Sequence, residues 1–260
     1  GPPMVRNVCE QQNTMCSHLC LRNPHGFSCT CPTGLTLKDP RNCNVEPNNY
    51  LVFASKGSLG RISLDTKPLW DVPLDIPGTN HPIAVDYHRK KNLLFFTDIH
   101  LDAIRVVSLK NLSHPWTVVG HGSNPPDGIA VDWVADNLYW TDAGRKVVEI
   151  SRLNGSSRKV IIKSQLLEPR AIAVFPSEGY MFWTDWGNKS KIERSYLDGS
   201  NRTVLLEDGI GWPNGLAIDY SLRRIFWNDA LADIIGSSDL NGQNRVVLVS
   251  QVPHPYGLTL

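Results

Sequence analysis

Four short runs decide how this chain folds: Phe95-Phe96-Thr97-Asp98, Tyr139-Trp140-Thr141-Asp142, Phe182-Trp183-Thr184-Asp185 and Phe226-Trp227-Asn228-Asp229. Their aspartates stand 44, 43 and 44 residues apart. Upstream of each lies a second run: Ile83-Ala84-Val85-Asp86, Ile129-Ala130-Val131-Asp132, Ile172-Ala173-Val174-Phe175 and Leu216-Ala217-Ile218-Asp219. Downstream comes a stretch of alternating polarity, as from Lys191 to Gly199, then an apolar run such as Thr203-Val204-Leu205-Leu206. Each unit thus predicts four short strands rich in β-branched and aromatic residues. Asn154-Gly155, Asp198-Gly199 and Asn241-Gly242 fall where a hairpin needs positive φ. Four strands in a unit of this length make one blade of a β-propeller, in which radially packed sheets bury one another's faces. Leucine-rich and helical repeats need leucine ladders or a 3.6-residue period, and the sequence has neither.

Working outward, residues 51–76 supply three strands of a first blade that lacks its innermost strand. Four whole blades follow at 82–119, 126–162, 169–206 and 213–249, and Tyr256 to Leu260 begin a sixth. The expectation is a six-bladed ring present here as about five blades, a fragment of a longer protein that also starts in mid-chain. An open ring leaves two sheet faces wet.

The composition narrows function. With 26 Lys+Arg against 25 Asp+Glu, the net charge of +1 gives no footprint for nucleic acid or an anionic membrane. Hydrophobic residues at 41% and charged residues at 20% place the chain among globular proteins. No apolar run approaches the ~20 residues of a membrane-spanning helix.

All six cysteines, Cys9, Cys16, Cys20, Cys29, Cys31 and Cys43, precede residue 44. A segment this short cannot build its own core, so the even count reads as a disulfide-stapled module in an oxidising compartment. A zinc site would need paired Cys-x-x-Cys knuckles, which are absent. Spacing alone leaves all ~15 pairings open.

The order C-x6-C-x3-C-x8-C-x-C-x11-C, with Gly26-Phe27-Ser28-Cys29 and Cys31-Pro32-Thr33-Gly34, resembles an EGF-like domain. That resemblance implies the pairs Cys9–Cys20, Cys16–Cys29 and Cys31–Cys43. EGF modules that bind calcium carry acidic residues before the first cysteine, where this chain has Val5-Arg6-Asn7-Val8, so no calcium site is expected. The Tyr-Trp-Thr-Asp marker makes residues 50–260 similar to the YWTD propeller of the low-density lipoprotein receptor family. An EGF module directly ahead of the propeller is that family's arrangement. The expected domains are 1–46, EGF-like, and 47–260, propeller. Ser17 to Cys20, Trp133 to Asp142, Glu168 to Ile172 and Trp212 to Leu216 resemble the branch that contains the Wnt co-receptors and the agrin receptor, with Phe53 to Thr66 and Ala171 to Gly187 nearest the agrin-receptor type.

The repeated aspartates suit acceptance of backbone N–H bonds between blades better than acid–base work, since a residue recurring in every blade makes no single asymmetric site. Trp140, Trp183 and Trp227 read as packing between blades. Phe175 in place of Asp, and Asn228 in place of Thr, are expected to weaken those contacts. Function belongs where the repeats differ. The loops before each first strand share one face and read His81-Pro82, Pro126-Asp127, Pro169-Arg170, Trp212-Pro213-Asn214 and Pro255-Tyr256. The family resemblance implies that this mouth binds extracellular proteins through an Asn-x-Ile type segment. Asn214 would pair with the ligand amide, Trp212 would flank an apolar pocket, and Arg170 and Asp127 would fix the neighbouring backbone. Gly144-Arg145 replaces an acidic rim position of the family pattern.

His81, His100 and His254 lie on or near this mouth, where an imidazole could serve release at acidic pH. Asn111, Asn154, Asn188 and Asn201 head Asn-x-Ser/Thr sequons and are the expected glycosylation sites. The expected function is a non-enzymatic ectodomain segment of a cell-surface receptor, outside the plasma membrane, with Wnt-pathway or agrin-like protein partners and no cofactor, metal or catalytic residue. A structural spacer is the alternative. A calcium-dependent propeller hydrolase would need an asymmetric Glu/Asn/Asp cluster with a His base, where the first strands here carry Ala, Val and Ile.

Overall fold

The structure, a computed structural model, describes residues 9, 15–44, 49–55, 57–67, 69–120, 124–252 and 257–258. Tyr256, His254 and the stretch Val5-Arg6-Asn7-Val8 lie outside the described residues. The chain divides into two compact units, Gly1–Phe53 with Leu59–Leu74, and Ala54–Ser58 with Asp75–Leu260.

In the first unit, strands β1 (Leu19–Asn23) and β2 (Gly26–Thr30) form an antiparallel hairpin. Disulfides join Cys9 to Cys20, Cys16 to Cys29 and Cys31 to Cys43, the pairing that the EGF resemblance implies. Strands β3 (Tyr50–Ser55), β4 (Ser58–Ser63) and β5 (Asp71–Leu74) make a three-stranded sheet.

Four four-stranded meanders fill the second unit. They are β6 (Pro82–His88), β7 (Leu93–Asp98), β8 (Ala103–Ser108) and β9 (Asn111–Val119), then β10 (Gly128–Asp132), β11 (Asn137–Asp142), β12 (Val147–Arg152) and β13 (Lys159–Ile162). Next come β14 (Pro169–Phe175), β15 (Tyr180–Asp185), β16 (Lys191–Tyr196) and β17 (Thr203–Leu206), and finally β18 (Pro213–Asp219), β19 (Arg224–Asp229), β20 (Ile234–Asp239) and β21 (Val246–Ser250). These are propeller blades. Their first strands adjoin in order, β6 beside β10, β10 beside β14 and β14 beside β18.

The faces between blades are the core. Trp140 packs with Phe95, Ile104 and Val106 of the preceding sheet, Trp183 with Tyr139, Val148 and Ile162, and Trp227 with Phe182, Ile192 and Leu206. All three indoles are almost fully buried, and exchanging such a residue for alanine costs about 3–5 kcal/mol. Val249 occupies the place that Leu206 holds one sheet earlier, each paired to the matching isoleucine of its third strand, yet it is 46% exposed where Leu206 is 7% exposed. No described sheet follows β21 to cover it.

First strands meet closely because a small residue stands two places after each proline: Ala84, Gly128, Ala171 and Gly215. A Cβ on Gly128 would lie 2.2 Å from the Arg170 carbonyl oxygen, and one on Gly215 would lie 2.8 Å from the Leu258 nitrogen. The N–H of each small residue donates to the marker side chain: Ala84 to Thr97 (3.1 Å), Gly128 to Thr141 (2.9 Å), Ala171 to Thr184 (3.0 Å) and Gly215 to Asn228 Oδ1 (2.8 Å).

Two sequence expectations are thereby refined. Asn228 keeps the contact within its blade, because its amide oxygen reaches the same N–H as the threonine hydroxyls, while its Nδ2 is buried with no acceptor among the described residues. Phe175 is packed as well: its ring is buried and meets Tyr220 edge-on at 4.9 Å, while the Tyr220 hydroxyl donates to the Val174 carbonyl at 3.1 Å.

Candidate functional site: the propeller mouth

In three of the meanders the proline opening the first strand pairs with the marker aspartate ending the second: Pro82 with Asp98, Pro169 with Asp185, Pro213 with Asp229. The loops before the first strand and after the second therefore share one face, the mouth. The marker carboxylates stitch those two loops within a blade, not between blades as the sequence suggested. Asp98 accepts from the N–H groups of Asn80 (2.7 Å) and His81 (3.0 Å). Asp185 accepts from Leu167 (3.0 Å), Glu168 (2.8 Å) and Gly187 (3.1 Å). Asp229 accepts from Gly211 (2.6 Å), Trp212 (3.0 Å), Leu231 (3.0 Å) and Ala232 (3.1 Å). Of the upstream-run aspartates, Asp86 does bond across blades: its Oδ2 accepts the Val131 N–H at 2.6 Å.

Asp142 departs from the pattern. The two residues before its blade's proline are Asn124 and Pro125, and proline has no N–H to give. Among the described residues Asp142 accepts the Arg145 N–H alone, at 2.8 Å. The carboxyls accordingly titrate in opposite directions. Burial raises Asp142 above the usual carboxylate range, with a single backbone donor opposing it. Burial also acts upward on Asp229, but its four backbone donors bring it below that range.

On this stitched frame Arg170 lies flat over Trp186, its guanidinium carbon 3.9 Å from the ring centroid. Trp186 stacks on Trp212 at 6.1 Å with 20° between the rings, and its Nε1–H donates to the Pro213 carbonyl at 3.1 Å. Trp212 is 46% exposed and ends the stack in solvent. Arg170 Nε is buried with no acceptor among the described residues, so the guanidinium is held by the indole face. A partly desolvated contact of this kind is worth about 1–2 kcal/mol. Asp127 Oδ2 accepts the Ala143 N–H at 3.2 Å; burial raises its carboxyl, partly offset by that bond and by Arg170.

The structure thus brings Asp127, Arg170 and Trp212 together, with Asn214 on β18 two residues past Trp212. His81 and His100 form a separate pair, ring centroids 5.0 Å apart, with His100 Nδ1 3.1 Å from Asn80 Oδ1. Arg145 sits at the same rim and is held by Glu149 at 2.9 Å. Sequence reasoning missed Trp186. The signal was available: the residue after the other marker aspartates is Ile99, Ala143 or Ala230, and only the third blade puts an indole there. The sequon asparagines are exposed. By strand direction Asn111, Asn154 and Asn201 lie toward the face opposite the mouth, while Asn188 follows Trp186 on the mouth side. Among the described residues no three His, Cys, Asp or Glu side chains gather in metal-binding geometry, and no helix is long and apolar enough to cross a membrane.

The family model for the EGF-like domain matches residues 9–39, and that for the low-density lipoprotein receptor repeat class B matches 136–176 and 179–220. Human low-density lipoprotein receptor-related protein 4 is 55% identical over 258 residues, and the protein of the same name from Mus musculus is 56% identical. The chain belongs to the low-density lipoprotein receptor-related protein family. The match covers 99% of this chain and 14% of the human relative, so the chain spans about one-seventh of the length of the curated relatives it matches. Among solved structures, a chain in the crystal structure of a nidogen/laminin complex superposes with a TM-score of 0.76 at 28% identity, over 81% of each chain. A putative TolB from Agrobacterium tumefaciens shares the fold alone, with a TM-score of 0.64 at 15% identity over 77% of this chain and 76% of that one.

Proposed function

We propose that this chain is a non-enzymatic extracellular segment of a cell-surface receptor of the low-density lipoprotein receptor-related type, and that its propeller mouth binds protein ligands in Wnt- or agrin-type signalling or endocytosis. The observation that carries this reading is the Arg170–Trp186–Trp212 stack, built where the blades stop resembling one another. A rigid aromatic anchor beside a cation, edged by Asp127 and Asn214, is the composition of a protein-binding hot spot. Trp212 supplies an apolar wall, Arg170 offers N–H donors to a ligand carbonyl or carboxylate, and Asn214 pairs with an amide such as that of an Asn-x-Ile segment. Against catalysis, the repeated marker carboxylates are committed to backbone N–H groups in three blades of four and have no proton-transfer task.

The test is calorimetric titration of an Asn-x-Ile peptide onto the protein and its Asn214→Ala and Trp212→Ala variants. Saturable binding that weakens at least about tenfold in both variants, or ~1.4 kcal/mol, supports the mouth as the site. No binding to the folded protein refutes it in favour of a spacer.

A further inference from the structure

The loop that supplies the middle indole of the stack also carries a sequon. Between β15 and β16 the chain reads Trp186-Gly187-Asn188-Lys189-Ser190, and Asn188 and Lys189 are exposed. Of the four sequon asparagines it alone lies on the mouth side, and two steps of chain keep its Cα within about 7 Å of that of Trp186. Its anchorage is fixed on both sides. Before it, the Trp186 N–H donates to the Glu168 carbonyl at 3.0 Å, the Trp186 Nε1–H to the Pro213 carbonyl at 3.1 Å, and the Gly187 N–H to Asp185 Oδ1 at 3.1 Å. After it, Lys189 Nζ meets Glu207 Oε2 at 2.8 Å, and Ser190 Oγ donates to the Trp186 carbonyl at 3.4 Å. Glu207 and Pro213 bracket the stretch that carries Trp212, so Asn188 is held alongside that stretch.

We propose that Asn188 carries an N-linked glycan whose first sugars lie on the outer face of Trp212, and that this glycan competes with protein ligands for the mouth. The competition rests on the mouth being a ligand face; the sugar contact does not. The modification joins Asn188 Nδ2 to the anomeric carbon of an N-acetylglucosamine: the amide gives up a proton, and a lipid-linked diphosphate leaves with the electron pair of the broken C–O bond. The disulfide-stapled module implies the oxidising secretory route, where that donor is supplied. Three features select Trp212. Arg170 covers one face of Trp186 and Trp212 the other, which leaves the outer face of Trp212, itself half exposed, as the free end of the stack. A pyranose ring presents an apolar C–H face that suits an indole. The tether makes the contact intramolecular, at an effective concentration in the millimolar range for a short flexible link, so a weak sugar–indole contact is populated.

The test compares wild type with three variants secreted from cells that glycosylate: Asn188→Gln, Ser190→Thr, which keeps the sequon, and Ser156→Ala, which removes the Asn154 sequon on the opposite face. Peptide mapping by mass spectrometry is expected to find the glycan on Asn188 in wild type and in Ser190→Thr. The Trp212 indole N–H resonance is expected to shift in Asn188→Gln, while the same substitution in protein made without glycosylation leaves it in place. An Asn-x-Ile peptide should bind Asn188→Gln at least about tenfold more tightly than wild type, and bind Ser190→Thr and Ser156→Ala as it binds wild type. An unmodified Asn188, a Trp212 resonance indifferent to the glycan, or a peptide bound equally by wild type and Asn188→Gln would overturn the proposal. A peptide that binds neither form while Trp212 answers to the glycan refutes the mouth reading and supports the sugar contact.

Discussion

Replacing Asp229 by asparagine sets a donor against a donor. The amide oxygen can still serve the N–H groups of Trp212, Leu231 and Ala232, but the NH₂ faces the Gly211 N–H that Oδ2 accepts at 2.6 Å. Losing one charge-assisted bond costs about 1.5–3 kcal/mol, and turning the other three into neutral bonds brings the total to about 3 kcal/mol. At roughly 2–4 °C per kcal/mol for a domain of this size, Tm falls by about 6–12 °C. Asp142→Asn is the internal control, since it disturbs the same repeat position with one backbone bond at stake and relieves a buried charge; its Tm moves by ~2 °C or less, or rises. The pH dependence has opposite signs. The Asp229 carboxyl is depressed on folding, so its contribution is present above the unfolded value and lost as pH falls through the folded one; the Asp229→Asn penalty therefore shrinks in acid. The Asp142 carboxyl is raised, so its contribution is full below the unfolded value and lost as pH rises through the folded one; wild type gains on Asp142→Asn in acid. Melting curves by tryptophan fluorescence at pH 7.5 and 4 check both. An Asp142→Asn variant as destabilised as Asp229→Asn would refute the argument from donor count.

Burial pushes the Asp86 carboxyl up to about 6, so folding penalises its ionised form; wild type should gain Tm relative to Asp86→Asn as pH falls through 6, a gain complete only below the unfolded value of 3.8. Gly128→Ala drives a methyl to 2.2 Å from the Arg170 carbonyl oxygen and should cost about 1–3 kcal/mol in denaturant titration while displacing Arg170. Trp183→Phe removes a donor that meets Glu193 Oε2 at 3.2 Å and leaves that oxygen to the Arg202 and Lys191 cations; Trp227→Phe removes an Nε1–H with no acceptor among the described residues, because Gly236 stands where the sister blades carry Glu149 and Glu193. Trp183→Phe should therefore be the more destabilising by about 1 kcal/mol, measured by urea midpoint.

What the sequence made legible is what repetition enforces. A blade buries its neighbour's face, so the aromatic pair, the small residue two places after each proline and the marker aspartate recur at one period, and strand order follows from them. Asp142 was also legible in principle, since Pro125 is visible where His81, Glu168 and Trp212 carry the donor. Less legible were equivalences of function without likeness of residue. Asn228 reaches the Gly215 N–H as threonine hydroxyls reach theirs, and an aromatic contact with Tyr220 replaces the aspartate lost at Phe175. Whether a carboxylate stitches within a blade or across blades depends on loop geometry, which no spacing encodes. The Arg170–Trp186–Trp212 stack joins residues from loops 16 and 26 positions apart, and only folding reveals their order.

The central claim is that the mouth, through that stack, is a protein-binding surface. The most direct measurement follows the Trp186 and Trp212 indole N–H resonances while an Asn-x-Ile peptide is titrated onto the protein. The account predicts saturable shifts at both indoles, lost in Arg170→Ala while the buried indoles of Trp140 and Trp183 stay unmoved. Indoles at the mouth that do not respond to the peptide, in a protein whose buried tryptophans report an intact fold, would contradict it.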